Sequence, residues 1–202
     1  MAKLKLTKNE QKKQKDSLKR FRRYLPVLIL KKQQLQLEIL KTHSLIDKIN
    51  KEIEKLRGRI DRWVAVFGED VGFKDLVGIK EIITKEGNIA GVDIPLFERV
   101  EFDIKEYDLM KTPLWVDYGI DAAKKIITLK ARREVLEKQL VLIREELRTT
   151  AQRVNLFEKV KIPEARENIR KIGIWLGDQQ TVAVVTGKIA KMKIQRKEGM
   201  LV

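Results

Sequence analysis

No cysteine occurs in the 202 residues. That excludes a disulfide framework, a thiolate metal site and a cysteine nucleophile. His43 is the one histidine, and a single imidazole cannot build a histidine-based zinc site or a catalytic triad. Beside the helical seam, it reads as an ordinary flank residue. Aromatics make up only 6% of the chain, too few for a large compact core and normal for long exposed helices. Glycines Gly68, Gly72, Gly78, Gly87 and Gly91 are spread through turn contexts rather than gathered into a phosphate-cradling loop. No apolar run approaches the roughly 18 residues a membrane-spanning helix needs. The opening MAKLKLTKNEQKKQKD is too polar for a secretory signal and lacks the serine bias of an organelle-targeting segment, so the expectation is a cytosolic chain. No catalytic constellation, metal set or cofactor motif is found, and the chain is not expected to be an enzyme.

What is abundant is charge. Lys, Arg, Asp and Glu are 36% of the residues and the net charge is +15, which calls for an acidic partner: nucleic acid, an anionic membrane surface or an acidic protein cavity. Most carboxylates are interleaved with Lys and Arg at helical spacing, as in KEIEK (Lys51–Lys55), the pattern of a solvated, mutually paired surface. The excess is confined. Residues 1–32 hold twelve Lys or Arg against Glu10 and Asp16, and residues 188–202 hold five against Glu198.

A heptad register carries the fold. Steps of seven from Leu18 reach Leu25, Lys32, Ile39, Ile46, Ile53, Ile60 and Phe67. A second row holds Phe21, Leu28, Leu35, Thr42, Ile49, Leu56 and Trp63. Only Lys32 and Thr42 are not apolar. A 3.5-residue repeat this long specifies a left-handed coiled coil, because supercoiling alone keeps such a seam facing its partner. Pro26 lies off the seam and predicts a kink or a fresh helix start.

After Pro113 the register returns. One row is Ile126, Arg133, Leu140, Leu147 and Val154; the other is Leu129, Leu136, Ile143, Thr150 and Phe157. Beyond Phe157 the phase slips. Lys161 falls where an apolar residue is due, and the stripe resumes as Ile162, Ala165, Ile169, Ile172 and Leu176. Pro163 sits at the slip. An inserted residue locally unwinds the supercoil, so Phe157 and Ile162 should both face the seam, with the helix ladder opened near Lys159.

Between the helical regions, Gly and Pro appear and β-branched residues cluster. Ile79–Thr84 reads as a strand, Glu86-Gly87-Asn88 as a turn before a short return strand, and FERVEFDIKE alternates like a half-buried strand. The fold class is therefore mainly α: two long antiparallel helices in an intramolecular left-handed coiled coil, with a small β-hairpin-containing head between them. The organisation reads as an N-terminal helix over 1–67, a head over 68–114, a C-terminal helix over 115–190 and a basic tail over 191–202. Trp63, Trp115 and Trp175 read as packing residues at the head and seam. Antiparallel arms bring both termini, and with them nearly all the excess charge, to one end.

Two functional readings follow, one from the basic composition and one from a resemblance. One is a basic coiled-coil protein that binds nucleic acid through salt-dependent phosphate contacts. The other rests on the stretch RVNLFEKVKIPEARENIRKI and on LKKQQL (Leu30–Leu35), which resemble the D subunit, the central rotor shaft, of V-type and A-type rotary ATPases. Arg153, Val154, Asn155, Glu158, Ile162, Pro163, Ile169 and Ile172 occupy the positions of that family's C-terminal motif. The resemblance implies a non-catalytic central-stalk rotor that couples ATP hydrolysis or synthesis to ion translocation by transmitting torque. Its partners would be the A and B subunits of the catalytic hexamer, a small central-stalk F subunit and a funnel-shaped subunit joined to the membrane rotor ring. No cofactor, direct nucleotide or nucleic acid is implied, and the location would be peripheral, on the cytoplasmic side of the membrane. Candidate partner-interface residues are Lys12, Lys13, Lys19, Arg20, Arg22, Arg23, Arg153, Asn155, Glu158, Lys188 and Lys191.

Overall fold

A computed structural model describes residues 4–61, 76–105, 113 and 115–198. The chain enters helix α1 (Lys8–Ile60) through Thr7, whose hydroxyl accepts the Glu10 backbone N–H at 3.3 Å. Thr7 is thus an N-cap, its hydroxyl satisfying one amide that the first turn would leave unpaired. Helix α1 then runs for 53 residues with Pro26 inside it, so the fresh start expected at this proline does not occur. Pro26 cannot donate to the Arg22 carbonyl, a defect that costs about 3 kcal/mol in a helix interior. Pro26 itself is exposed, while Phe21, Leu25 and Leu28 around it stay half-buried. Seam packing carries the helix through the proline. Every expected seam residue from Leu18 to Ile60 is buried or half-buried, and Leu35, Thr42, Ile46, Ile49 and Ile53 are buried. Trp63 and Phe67 lie outside the described residues.

The chain divides into two compact units, one of residues 31–150 and one of residues 1–30 with 151–202. In the first, α1 packs on helix α2 (Trp115–Asn155). Lys31 pairs with Glu146 at 2.6 Å, His43 Nε2 lies 2.7 Å from Arg144, and Arg133 donates to Asn50 at 3.4 Å. Partner numbers fall on α2 as they rise on α1, so the helices run antiparallel. Leu136, Leu140, Ile143 and Leu147 are buried or half-buried as the heptad requires. Ala131, Val135 and Gln139 are buried as well, so α2 presents a wider inner face than a two-row seam.

The hairpin accounts for part of that width. Strands β1 (Val77–Ile89) and β2 (Val92–Ile104) pair antiparallel, with Ile89 opposite Val92. The turn is therefore Ala90-Gly91, not Glu86-Gly87-Asn88, and one long hairpin replaces the two short strands and separate alternating strand expected. Both turn residues have positive φ, 52° at Ala90 and 77° at Gly91, as a two-residue hairpin turn of the favoured twist demands. Asn88 supports the turn by accepting the Gly91 N–H and donating to Asp93. Gly87 serves the strand, because a Cβ there would lie 2.6 Å from Leu96 Cδ1. The tip does not stand clear of the helices. Ile94 joins Leu35 and Ile143 in a buried cluster, flanked by Ile89, Ala90, Val92, Ile39 and Leu147, and the Gln139 side-chain amide donates to the Pro95 carbonyl.

In the second unit, the first part of α1 faces the end of α2, a π-helical turn (Leu156–Lys161) and helix α3 (Ile162–Glu198). Phe21 meets Phe157 with ring centroids 5.1 Å apart. Gln14, Ser17 and Phe21 share a groove with Lys161, Glu164, Ala165 and Asn168, and Gly173 lies against Gln11. The pairing is again antiparallel. The ladder opening expected near Lys159 is this π turn, closed by the Ile162 N–H donating to the Phe157 carbonyl. Phe157 is half-buried and Val154, Ile162, Ala165 and Ile172 are buried, so the stripe stays on the seam across the slip.

Candidate partner interface

A basic run on an amphipathic helix presents cations wherever the seam is not. Lys12, Lys19 and Arg23 fall on the face opposite the Phe21–Leu25 seam, Lys13 and Arg20 flank it on one side, and Arg22 on the other. All six are exposed. Arg20 donates to the Ser17 hydroxyl at 3.3 Å. Among the described residues, none of Lys12, Lys13, Lys19, Arg22 and Arg23 is in ion-pair contact with a carboxylate. Their charge is turned outward and exceeds that of Glu10 and Asp16, the acidic residues among them.

The second set of candidate residues lies on α2, the π turn and α3. Arg153, Asn155 and Glu158 are exposed. Asn155 is helical, with φ −60° and ψ −41°, and its side chain makes no capping bond; it is the last residue before the ladder changes. These three share the level of the Phe21–Phe157 contact with the cations around Arg22, so the structure brings the two sets into one unit. Lys188 and Lys191 do not join them. They lie one turn apart near the end of α3, well beyond Gly173, which lies against Gln11 of α1. Nearer the seam, Glu167 accepts two bonds from Arg170, at 2.8 and 3.0 Å. The Arg170 guanidinium, helped by Lys171, holds the Glu167 carboxyl below the usual carboxylate range, and the same bond raises the guanidinium pKa.

A second apolar stripe lies outside the heptad rows. Every residue from Gly177 to Arg196 is exposed, including Val182, Val184, Val185, Ile189, Met192 and Ile194, each between 44% and 59% accessible. Val182, Val185, Ile189 and Met192 recur at steps of 3 and 4 residues, so they form a stripe of their own. Its signal in the sequence is a 3-4 spacing that continues after Leu176, but on a different face from Ile169, Ile172 and Leu176. Trp175, expected at the seam, is 38% exposed and off it. Trp115 is half-buried at the start of α2, and Trp63 lies outside the described residues.

Among the described residues, no helix is long and apolar enough to cross a membrane, and no group of three or more His, Asp or Glu side chains is placed to hold a metal ion. The described surface offers outward charge and an apolar stripe. Its chemistry suits docking against other proteins.

Comparison with known proteins bears on what those are. The profile of the ATP synthase D-subunit family matches residues 10–192. The chain is 50% identical over 197 residues to the V-type ATP synthase D subunit of Borreliella burgdorferi, covering 98% of each. It is 36% identical to that of Chlamydia trachomatis over 96% of this chain and 97% of the relative, and 38% identical to that of Chlamydia muridarum over the same shares. A match running through both helical arms, the hairpin and the π turn takes in nearly all of the described architecture: the chain belongs to the ATP synthase D-subunit family, as a non-catalytic component of a V-type rotary ATPase.

Proposed function

We propose that this subunit is the central-stalk rotor, which couples ATP hydrolysis or synthesis in a ring of A and B subunits to ion translocation by transmitting torque. The observation that carries the reading is the end of α3. Twenty consecutive residues, Gly177 to Arg196, are all exposed, and none of the described residues buries their apolar side chains. A helix with such a stripe is not stable by propensity alone and takes its stability from a surrounding surface. The central cavity of a catalytic hexamer would provide that surface. Lys12, Lys13, Lys19, Arg20, Arg22, Arg23, Lys188 and Lys191 would face acidic groups there through many weak, exposed contacts, which suit a turning bearing better than a few deep ones.

The paired helices suit the mechanical task. Twisting one arm against the other must separate seam residues such as Phe21 from Phe157 or Leu35 from Ile143, so the pair resists torsion where a lone helix would yield. Arg153, Asn155 and Glu158 would lie on the surface offered to partners near the seam. A small F subunit would bind along the shaft, and a funnel-shaped subunit would receive the other end and join it to the membrane rotor ring. The complex would hold this chain as a peripheral component on the cytoplasmic side of the membrane.

Reconstitution tests the reading. An A/B hexamer assembled with this chain should rotate a bead fixed to it on ATP addition, and the hexamer without it should not. Stable exclusion of the chain from the hexamer would sink the proposal.

A further inference from the structure

The exposed stripe of α3 has ends as well as a middle. Continued by the same steps in both directions, it runs Asp178, Val182, Val185, Ile189, Met192 and Arg196. The steps are 4, 3, 4, 3 and 4, the alternation of the core positions of a heptad. The order is symmetrical about position 187, with a carboxylate at one end, a guanidinium at the other and apolar side chains between. All six residues are exposed. Among the described residues, neither Asp178 nor Arg196 is in ion-pair contact.

A row with that symmetry is complementary to itself when two copies lie antiparallel. Asp178 of each copy then meets Arg196 of the other, Val182 falls opposite Met192, and Val185 opposite Ile189. A parallel pair would set Asp178 against Asp178 and Arg196 against Arg196, which like-charge repulsion disfavours. The flanks suit close contact. Gln179, Thr181, Thr186 and Gln195 border the row without charge. The Thr181 and Thr186 hydroxyls donate to their own helix, to the Gly177 and Val182 carbonyls at 3.1 and 2.9 Å, which leaves their methyl groups to pack. Lys193 would face Gln179, and Lys188 alone on the flanks would face its own copy. The approach is clear. At 3.6 residues per turn the row lies roughly 150° round the helix from the Ile169, Ile172 and Leu176 seam, on the side away from α1.

We propose that the unassembled chain pairs with a second copy of itself through the Asp178–Arg196 row of α3, the two helices lying antiparallel about a two-fold axis at position 187. An isologous contact of this kind closes on itself and stops at two. The helices meet along about 27 Å at 1.5 Å per residue. So small an interface belongs with weak, reversible complexes, with a dissociation constant on the order of 10 µM. The existence of the dimer does not depend on the rotor reading; its use does. The row that a hexamer cavity would bury is the row the second copy covers, so the two associations exclude each other. The dimer would hide the apolar side chains of the free subunit and release them on assembly.

Sedimentation equilibrium on the isolated full chain at low salt reads the association, from about tenfold below to about thirtyfold above that constant. A monomer–dimer equilibrium is expected, and a chain that stays monomeric at the upper end would overturn the proposal. Val185→Ser combined with Ile189→Ser should weaken the dimer about tenfold or more while circular dichroism keeps the helical signal. A dimer of unchanged strength would put the contact elsewhere and overturn it too. Charge reversal tests the register. Asp178→Arg and Arg196→Asp should each weaken the dimer about fivefold or more, because each turns two attractive pairs into repulsive ones. The double variant should recover the strength of the wild type; weak single variants without that recovery would rule out the antiparallel register. Lys188→Gln should tighten the dimer. Added A/B hexamer should take up one copy and dissolve the pair, and uptake of the dimer intact would overturn the mutual exclusion. A hexamer that binds neither form would strike the rotor reading instead, with sedimentation still deciding whether the dimer exists.

Discussion

Thr42 and Thr150 occupy seam positions, and the same side chain meets opposite circumstances at the two sites. The Thr42 hydroxyl donates to the Glu38 carbonyl at 2.8 Å. Thr150 is fully buried and its hydroxyl finds no partner among the described residues. A buried hydroxyl without a bond retains its desolvation cost, about 1–3 kcal/mol, whereas a satisfied one contributes about 1 kcal/mol. Thr150→Val should therefore leave the chain equally or more stable, by up to about 2 kcal/mol. Thr42→Val should give no such gain. Denaturant titration followed by circular dichroism reads both, and a Thr150→Val variant clearly less stable than wild type would show that the hydroxyl has a partner in solution. The heptad rows place both threonines on the seam, because burial on a helix follows from spacing alone. Spacing does not tell the two apart, since that difference depends on the carbonyl geometry of a neighbouring turn.

At the scale of the element, legibility tracks how local the determining interaction is. The seam of α1 and the slip after Phe157 follow from spacing within one helix, and both stand in the structure. The hairpin turn does not. Asn-Gly or Asp-Gly would have announced it, but Ala-Gly takes its place, and the nearby Gly87 draws the expected turn several residues too early. Gly87 is small for Leu96 opposite it, a cross-strand reason invisible along the chain. The docking of Ile94 on Leu35 and Ile143 joins residues far apart in the chain, which no window of sequence displays. The turn itself is open to test. Gly91 has φ +77° with open space around its missing Cβ, the nearest atom being Lys31 Nζ at 3.8 Å. Gly91→Ala thus meets backbone strain without a clash, and should destabilise the hairpin by about 1 kcal/mol. Gly58, inside α1 with nothing within 4 Å, supplies the control: Gly58→Ala should stabilise by about 0.5–1 kcal/mol through helix propensity. Thermal denaturation of the two variants should move in opposite directions. A shared direction would mean that the Ala90-Gly91 turn adopts another conformation in solution.

For the whole molecule, the proposed rotor role would divide the work of binding, with the net charge of +15 serving approach and the bare apolar stripe of α3 retention. Long-range attraction speeds encounter and weakens as salt screens it, while apolar burial acts only on contact and governs release. The two contributions are carried by separate residues, so they are separable by mutation. Changing Lys12, Lys13, Lys19, Arg20, Arg22 and Arg23 to Gln should slow association with an A/B hexamer by about tenfold or more at low salt, with little change in dissociation. The remaining association rate should also depend less steeply on ionic strength. Changing Val182, Val185 and Ile189 to Ser should leave association nearly unaltered and speed dissociation by about tenfold or more. Helix content should be checked in both variants by circular dichroism and should hold, because serine has about the helix propensity of valine and isoleucine. If both sets of changes act on association alone, the exposed stripe is not buried by the partner, and the cations bear the attachment unaided. If both act on dissociation, the basic face is in close contact rather than steering from a distance.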